Sequence, residues 1–190
     1  MTLYQRVMEF ARHERAEWAL AIVAFADSSF LPLPPHALLI PLLLAQPSRT
    51  WRLALICSAA SVAGGYLGYG IGALLYETIG RWIIETYGYQ SAFLHFQDLF
   101  QRWGAWIIVA KGLTPIPFKI VTIASGVAGF DLLDFTWSSI VSRTGQFLII
   151  AAVLRRYGPL AEPYIERWLW QLGLAFIAVV VLGFVAINYI

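Results

Sequence analysis

Charge is what this chain has least of. Of 190 residues, 13% are Asp, Glu, Lys or Arg, while 59% are hydrophobic, and the mean hydropathy is +0.69. A soluble domain carries about 25% charged and about 45–50% apolar residues. So little charge cannot cover a water-facing surface, which excludes a soluble enzyme and a disordered tail. The net charge of +2 is too small for a nucleic-acid footprint. The single cysteine, Cys57, excludes an internal disulfide framework and any multi-cysteine metal site. There is no P-loop, no metal-ligand cluster and no nucleophile–base–orienter set, so no cofactor is expected, no enzyme is indicated, and a primary pump is excluded for this chain by itself. An all-α integral membrane domain remains.

Its apolar segments differ in length. A spanning helix needs about 20 residues to cross roughly 30 Å of hydrocarbon. Residues 53–76, 135–154 and 169–190 meet that length and are read as transmembrane helices. Residues 18–46 do not, because Leu31-Pro32-Leu33-Pro34-Pro35 interrupts them and proline cannot continue a helix. Residues 104–129 are broken in the same way by Thr114-Pro115-Ile116-Pro117. Each is read as a re-entrant hairpin that turns at its prolines and leaves on the side it entered. Residues 1–17 read as an amphipathic helix on the membrane surface, with Leu3, Val7, Phe10 and Ala11 at helical spacing among acids and bases. Residues 77–103 are too charged to span and read as interfacial helix. Trp51, Trp82, Trp103, Trp106, Trp168 and Trp170 flank the apolar runs as interfacial anchors. Gly64, Gly68 and Gly72 form GxxxGxxxG inside the first long helix, the pattern of close helix packing and not of a dinucleotide site.

Hairpin, short link and full helix occur twice. Pro32-x-Pro34 and Pro115-x-Pro117 coincide at an offset of 83 residues, which lays His36 over Lys119. Each unit holds one crossing, so the second enters from the opposite side: an inverted-topology repeat, of the kind that sets broken helices around a substrate site near the midplane. With non-crossing hairpins, Arg6, Arg12, Arg15, Arg49, Arg52, Arg155, Arg156 and Arg167 share one side, and the other holds Arg81 and Arg102. The positive-inside rule then puts the N-terminus in the cytoplasm and the C-terminus outside.

Three cations and an acid lie within the apolar segments: Asp27, Lys111, Lys119 and Arg143, with His36 as a milder fifth. An ionisable side chain in a membrane helix costs about 2.5–3.5 kcal/mol unless it faces a cavity or a partner. Asp27 and His36 flank the first break, Lys111 and Lys119 bracket the second, and Arg143 lies nine residues into the helix that follows. Backbone N–H groups freed at a helix break favour anions, and Lys111, Lys119 and Arg143 beside Pro32, Pro34, Pro115 and Pro117 make a site suited to phosphate. Asp27 is then a counter-ion or a protonatable coupling group, and His36 a proton relay. The rival reading of the set is a plain ion pair, Asp27 with Lys111 or Arg143, that neutralises both partners.

F-A-D-S-S-F-L-P-L-P-P-H (25–36), W-G-A-W-I-I-V-A-K-G-L-T-P-I-P-F-K-I-V-T-I-A-S-G (103–126) and S-S-I-V-S-R-T-G-Q-F (138–147) together resemble the DedA family, also called the VTT or SNARE-associated domain family, with the YqaA-like branch most similar. The resemblance covers residues 18–157. It implies a bacterial inner-membrane protein with two re-entrant hairpins in inverted repeat. It also implies translocation of lipid phosphates, notably undecaprenyl phosphate, driven by proton motive force; eukaryotic members are phospholipid scramblases. Asp27 stands at the family's first acidic position, and His36 where a second acid is found. Lys111 and Lys119 stand where the pattern has paired arginines, and lysine is a point charge where arginine offers a fork. The function expected is thus a flippase- or scramblase-like lipid transporter whose partners are a polyprenyl phosphate or phospholipid and the proton, possible as a homo-oligomer. The alternative is a proton-coupled small-ion or solute antiporter.

Overall fold

The computed structural model describes residues 15–31, 34–112 and 117–158, so the N-terminal amphipathic segment up to residue 14, the proline positions 32 and 115, and the C-terminal run 169–190 lie outside the described residues. The described chain is helical. α1 is Arg15–Ser29 and α2 is His36–Ala45; a 3-10 turn, Pro47–Arg49, leads into α3, Thr50–Leu75. A π-turn, Tyr76–Gly80, passes α3 into α4, Arg81–Tyr87. α5 is Gln90–Lys111, α6 is Phe118–Val127, and α7 is Leu132–Gly158. Two runs, Pro47–Tyr87 and Leu132–Gly158, are long and apolar enough to cross a membrane.

The order repeats more closely than the prolines alone foretell. Each boundary in the second half lies 82 residues after its counterpart: Ser29 and Lys111, His36 and Phe118, Ala45 and Val127, Thr50 and Leu132. The proline offset is 83, so His36 pairs with Phe118 in the element register and not with Lys119. The slip has a local cause. Pro35 precedes α2 as its N-cap after Pro34, whereas Pro117 is itself the N-cap of α6.

Two further boundaries differ from the sequence reading. Residues 77–103 do not form one helix. Tyr76–Gly80 widens by a π-turn, which keeps α3 and α4 one continuous run, and the break comes at Gly88, whose φ of +70° ends α4 in a left-handed cap. Residues 90–111 then form one helix through the expected boundary at 103. Phe96, Phe100, Gly104 and Ile108 recur every four residues and give α5 a single inward face. Position 104 requires glycine, because a Cβ there would collide with the Phe100 and Phe130 rings.

Packing places the two short helices at opposite ends of the bundle. Glu17 of α1 pairs with Arg49 and Arg52, which follow α2, at 3.3 and 2.8 Å, so the chain leaves and returns at one end. At the other end Gln97 and Gln101 of α5 donate to the Ala128 and Gly129 carbonyls that follow α6, at 3.1 and 2.9 Å. α3 lies against both halves, and its glycines allow it. A Cβ at Gly64 would overlap the Phe25 carbonyl of α1, at Gly68 the Thr122 hydroxyl of α6, and at Gly72 the Ile123 carbonyl of α6. The glycine stripe is therefore the packing seam that its spacing indicates.

The apolar core has two parts. One joins α1, α2, the start of α3 and the end of α7 through Leu20, Leu39, Leu42, Leu53, Cys57 and Phe147. The other joins α5, α6 and the start of α7 through Phe100, Ile108, Phe118, Phe130 and Phe135. Buried polar groups lie at the levels between them: Ser28, Ser61, Lys111, Thr122, Ser139, Ser142 and Arg143. Outward-facing Trp18, Ile22, Leu74, Trp106, Ile120 and Leu133 are each more than half exposed, an apolar exterior that a water-soluble protein rarely presents.

Candidate functional site

The polar layer is built from the ends of broken helices. Ala16, Leu20, Ala24 and Ser28 form the inward stripe of α1, and Asp27, one residue earlier, sits at its edge. α5 ends on Lys111, buried to 5% exposure. α6 begins with Phe118 and Lys119, and α7 contributes Arg143 at 1% exposure. Asp27, Lys111, Lys119 and Arg143, from four helices, meet here.

Asp27 holds two of the cations loosely. Its carboxylate oxygens lie 3.7 Å from Lys119 Nζ and 3.8 Å from the Arg143 guanidinium. Both distances exceed those of close charge-assisted hydrogen bonds. Asp27 and Lys119 side chains keep 19% and 18% of their surface, so their pair is not sealed from water. Lys119 also donates to the Leu31 carbonyl at 2.9 Å, joining the second break to the first. The rival ion pair of Asp27 is therefore present in part, with Arg143 and with Lys119 rather than Lys111. Among the described residues of this layer, three cations stand near one carboxylate.

Arg143 is the hub. One terminal nitrogen donates to Ser28 Oγ at 3.2 Å and the other to Gln146 Oε1 at 3.1 Å. Ser28 lies 2.6 Å from Ser61 of α3, hydroxyl to hydroxyl. The Thr122 hydroxyl lies 3.4 Å from the Ser28 carbonyl. The guanidinium carbon stands 4.0 Å from the Phe118 ring centre and 5.6 Å from that of Phe147. Arg143 Nε and the Ser139 and Ser142 hydroxyls are buried and lack a hydrogen-bond partner among the described residues. Native proteins rarely leave such groups unpaired.

The other predicted residues fall as follows. His36 opens α2 and packs on Phe147, ring centres 5.6 Å apart; neither a hydrogen bond nor an ion pair joins it to Asp27 among the described residues. The Pro34 carbonyl accepts from the Ala37 amide of α2 at 3.1 Å, and the Pro117 carbonyl from the Ile120 amide of α6 at 3.1 Å. Pro32 and Pro115 lie outside the described residues. Among the described residues no group of three or more His, Cys, Asp or Glu could hold a metal ion.

Sequence reasoning missed Ser28, Ser61, Phe118, Thr122, Phe147, Ser139 and Ser142. No signal in the sequence singled these out, although one more pointed to the layer they line. Lys111 and Lys119 are the only lysines in the chain, every other fixed cation being arginine, and both stand in this layer.

A model of the VTT domain matches residues 33–156, which contain every one of these groups except Asp27 and Ser28. A protein of Haemophilus influenzae is 32% identical over 150 residues, 79% of this chain and 78% of that one. A protein of Histophilus somni is 31% identical over 149 residues, 78% of each. Both are described only as uncharacterized proteins. No solved structure matches the chain.

Proposed function

The chain belongs to the VTT-domain family, the DedA family, and from that premise we propose that it is a flippase- or scramblase-like transporter for lipid phosphate, not an enzyme. The cargo is a polyprenyl phosphate such as undecaprenyl phosphate, or a phospholipid, and the membrane is the bacterial inner membrane. The observation that carries this reading is the charge balance of the polar layer, where Lys111, Lys119 and Arg143 surround the one carboxylate of Asp27. A site with surplus buried positive charge is stabilised by an anion, and Coulomb attraction grows as water is excluded.

In the proposed arrangement α1–α2 and α5–α6 are re-entrant hairpins of an inverted repeat. A ten-residue helix such as α2 or α6 reaches about 15 Å, half the hydrocarbon thickness, so each hairpin stops near the midplane. The headgroup sits there while the tails stay in the bilayer. Asp27 releases Lys119 and Arg143 when it takes up a proton, which ties headgroup binding to the proton gradient, with His36 as a relay. The end carrying Glu17, Arg49 and Arg52 also holds Arg155, stacked 5.6 Å from the Trp51 ring. That concentration of arginine supports a cytoplasmic location for this end and for the N-terminus, with the C-terminus in the periplasm.

Reconstitution tests the reading. Liposomes containing a trace of labelled polyprenyl phosphate are treated with an external phosphatase, and the protected fraction is followed. The parent chain should make inner-leaflet headgroups accessible. Lys111→Ala and Lys119→Ala, folded normally, should slow that at least tenfold. Variants as fast as the parent would remove the site. Proton flux with a soluble ion and no lipid movement would establish the antiporter in its place.

A further inference from the structure

Phe118 stands where three helices meet, and its ring touches two cations from two other helices. Lys111 Nζ, at the end of α5, lies 5.2 Å from the ring centre, and the Arg143 guanidinium carbon, on α7, lies 4.0 Å from it. Lys111, Phe118 and Arg143 are all at least 95% buried. Two like charges buried against one ring repel each other unless something negative lies near them. Asp27 reaches Arg143 and Lys119; the Phe118 ring reaches Arg143 and Lys111. An aromatic face carries a negative quadrupole, and a cation within about 6 Å of its centre is attracted to it, most strongly where water is absent.

The ring is also fixed in place. Phe118 follows Pro117, whose φ is −61° and cannot relax. On its other side is Gly65 of α3, where a Cβ would stand 3.2 Å from the ring edge. Lys119, the next residue along α6, points elsewhere, to Asp27 and the Leu31 carbonyl. Two consecutive residues at the start of α6 therefore hold three cations: one directly as its own side chain, two through the ring.

We propose that Phe118 is a positioning residue of the headgroup site, its ring holding Lys111 and Arg143 side by side so that a single phosphate group can be bound by both. The proposal rests on the lipid-phosphate reading for its purpose, but the placement of the ring is tested separately. An incoming phosphate oxygen can take the place of the ring's weak attraction at each cation, so the ring keeps the pair assembled without blocking it.

The test compares Phe118→Tyr, which keeps the ring, with Phe118→Met, which keeps most of the volume and loses it. Full-length protein in detergent is exposed to an amine-acylating reagent, and modification of Lys111 and Lys119 is read by mass spectrometry. With only two lysines in the chain, fragment ions assign each modification to Lys111 or to Lys119. Lys111 should react about tenfold faster in Phe118→Met than in the parent or in Phe118→Tyr, while Lys119 is unchanged. In the phosphatase assay Phe118→Met should raise the lipid phosphate concentration for half-maximal rate about tenfold, and Phe118→Tyr should restore it. Equal Lys111 reactivity in all three chains overturns the proposal. So does a Phe118→Met variant with parent transport. If the methionine variant does not fold, the parent decides alone. The Arg143 guanidinium carbon lies 4.0 Å from the ring centre, so the adjoining Nε proton should be displaced upfield by ring current, and a resonance at its ordinary position overturns the proposal. A parent that moves no phosphate lipid but shows aromatic-dependent shielding of Lys111 defeats the transport reading and leaves the ring's placement standing.

Discussion

At the residue scale the account turns on unequal charge. Removing one partner of a buried ion pair leaves the other charge uncompensated, at a cost of about 3–5 kcal/mol when burial is complete. Asp27 and Lys119 keep nearly a fifth of their surface, so solvent screens part of that cost. Asp27→Asn should therefore destabilise the chain by about 1–3 kcal/mol, seen as a lower thermal midpoint in detergent; an unchanged midpoint would mean that the pair contributes nothing. Arg143→Lys should be worse for transport than Lys119→Arg, by at least tenfold in rate. Arginine at 143 binds Ser28, Gln146 and Asp27 at once from a fixed fork, which an ammonium cannot span, whereas Lys119 makes point contacts. Equal rates for the two variants would count against Arg143 as the hub. The ionisable members of this layer were readable in the chain because a charge inside an apolar run is an exception that demands a partner. Ser28, Thr122 and Phe118 were not, because serine, threonine and phenylalanine are ordinary within membrane helices. Only the three-dimensional meeting of α1, α6 and α7 gives them a role.

At the element scale, α3 is the spine on which both halves lean. Gly68 sits where α1 and α6 converge, with the Ser28 carbonyl 3.1 Å from a Cβ built there, and Gly70 has open space around its own. Gly68→Ala must push the two helices apart by several tenths of an ångström. It should lower the thermal midpoint strongly and weaken the Thr122–Ser28 contact, whereas Gly70→Ala should fold like the parent. Similar midpoints for both would show that the seam is looser than described. The existence of two matched halves was legible from Pro-x-Pro alone, because proline stops a helix wherever it stands. The one-residue slip between the proline offset and the helix offset was not, since it depends on whether Pro35 or Pro117 takes the capping position. Nor was the passage of α3 into α4. A π-turn carries no punctuation in sequence, and the polar residues after Tyr76 look like a helix end. The two halves also divide the chemistry. The first supplies the acid and the Ser28–Ser61 pair, the second all three cations, so the site forms only when the halves meet.

At the scale of the molecule, the proposed inverted repeat of two hairpins requires their ends to face opposite compartments. With Cys57→Ala as background, a cysteine at Arg49 should be labelled by an impermeant thiol reagent only after the cytoplasmic side is opened, and a cysteine at Leu133, 78% exposed, should be labelled in intact cells. Labelling of both from one side would dismantle the inverted repeat and leave the polar layer without its midplane position. The central claim is that a lipid phosphate sits between the two breaks, and the scarcity of lysine provides its most direct measurement. In proteoliposomes of nitrogen-15 lysine-labelled protein with polyprenyl phosphate as the only phosphorus-bearing lipid, nitrogen–phosphorus dipolar coupling reports on Lys111 and Lys119 alone. The account predicts dephasing of a lysine side-chain signal at a nitrogen–phosphorus distance of about 4 Å, the reach of a charge-assisted hydrogen bond to a phosphate oxygen, and its loss in Arg143→Ala. A chain that transports the lipid while neither lysine couples to phosphorus would contradict it.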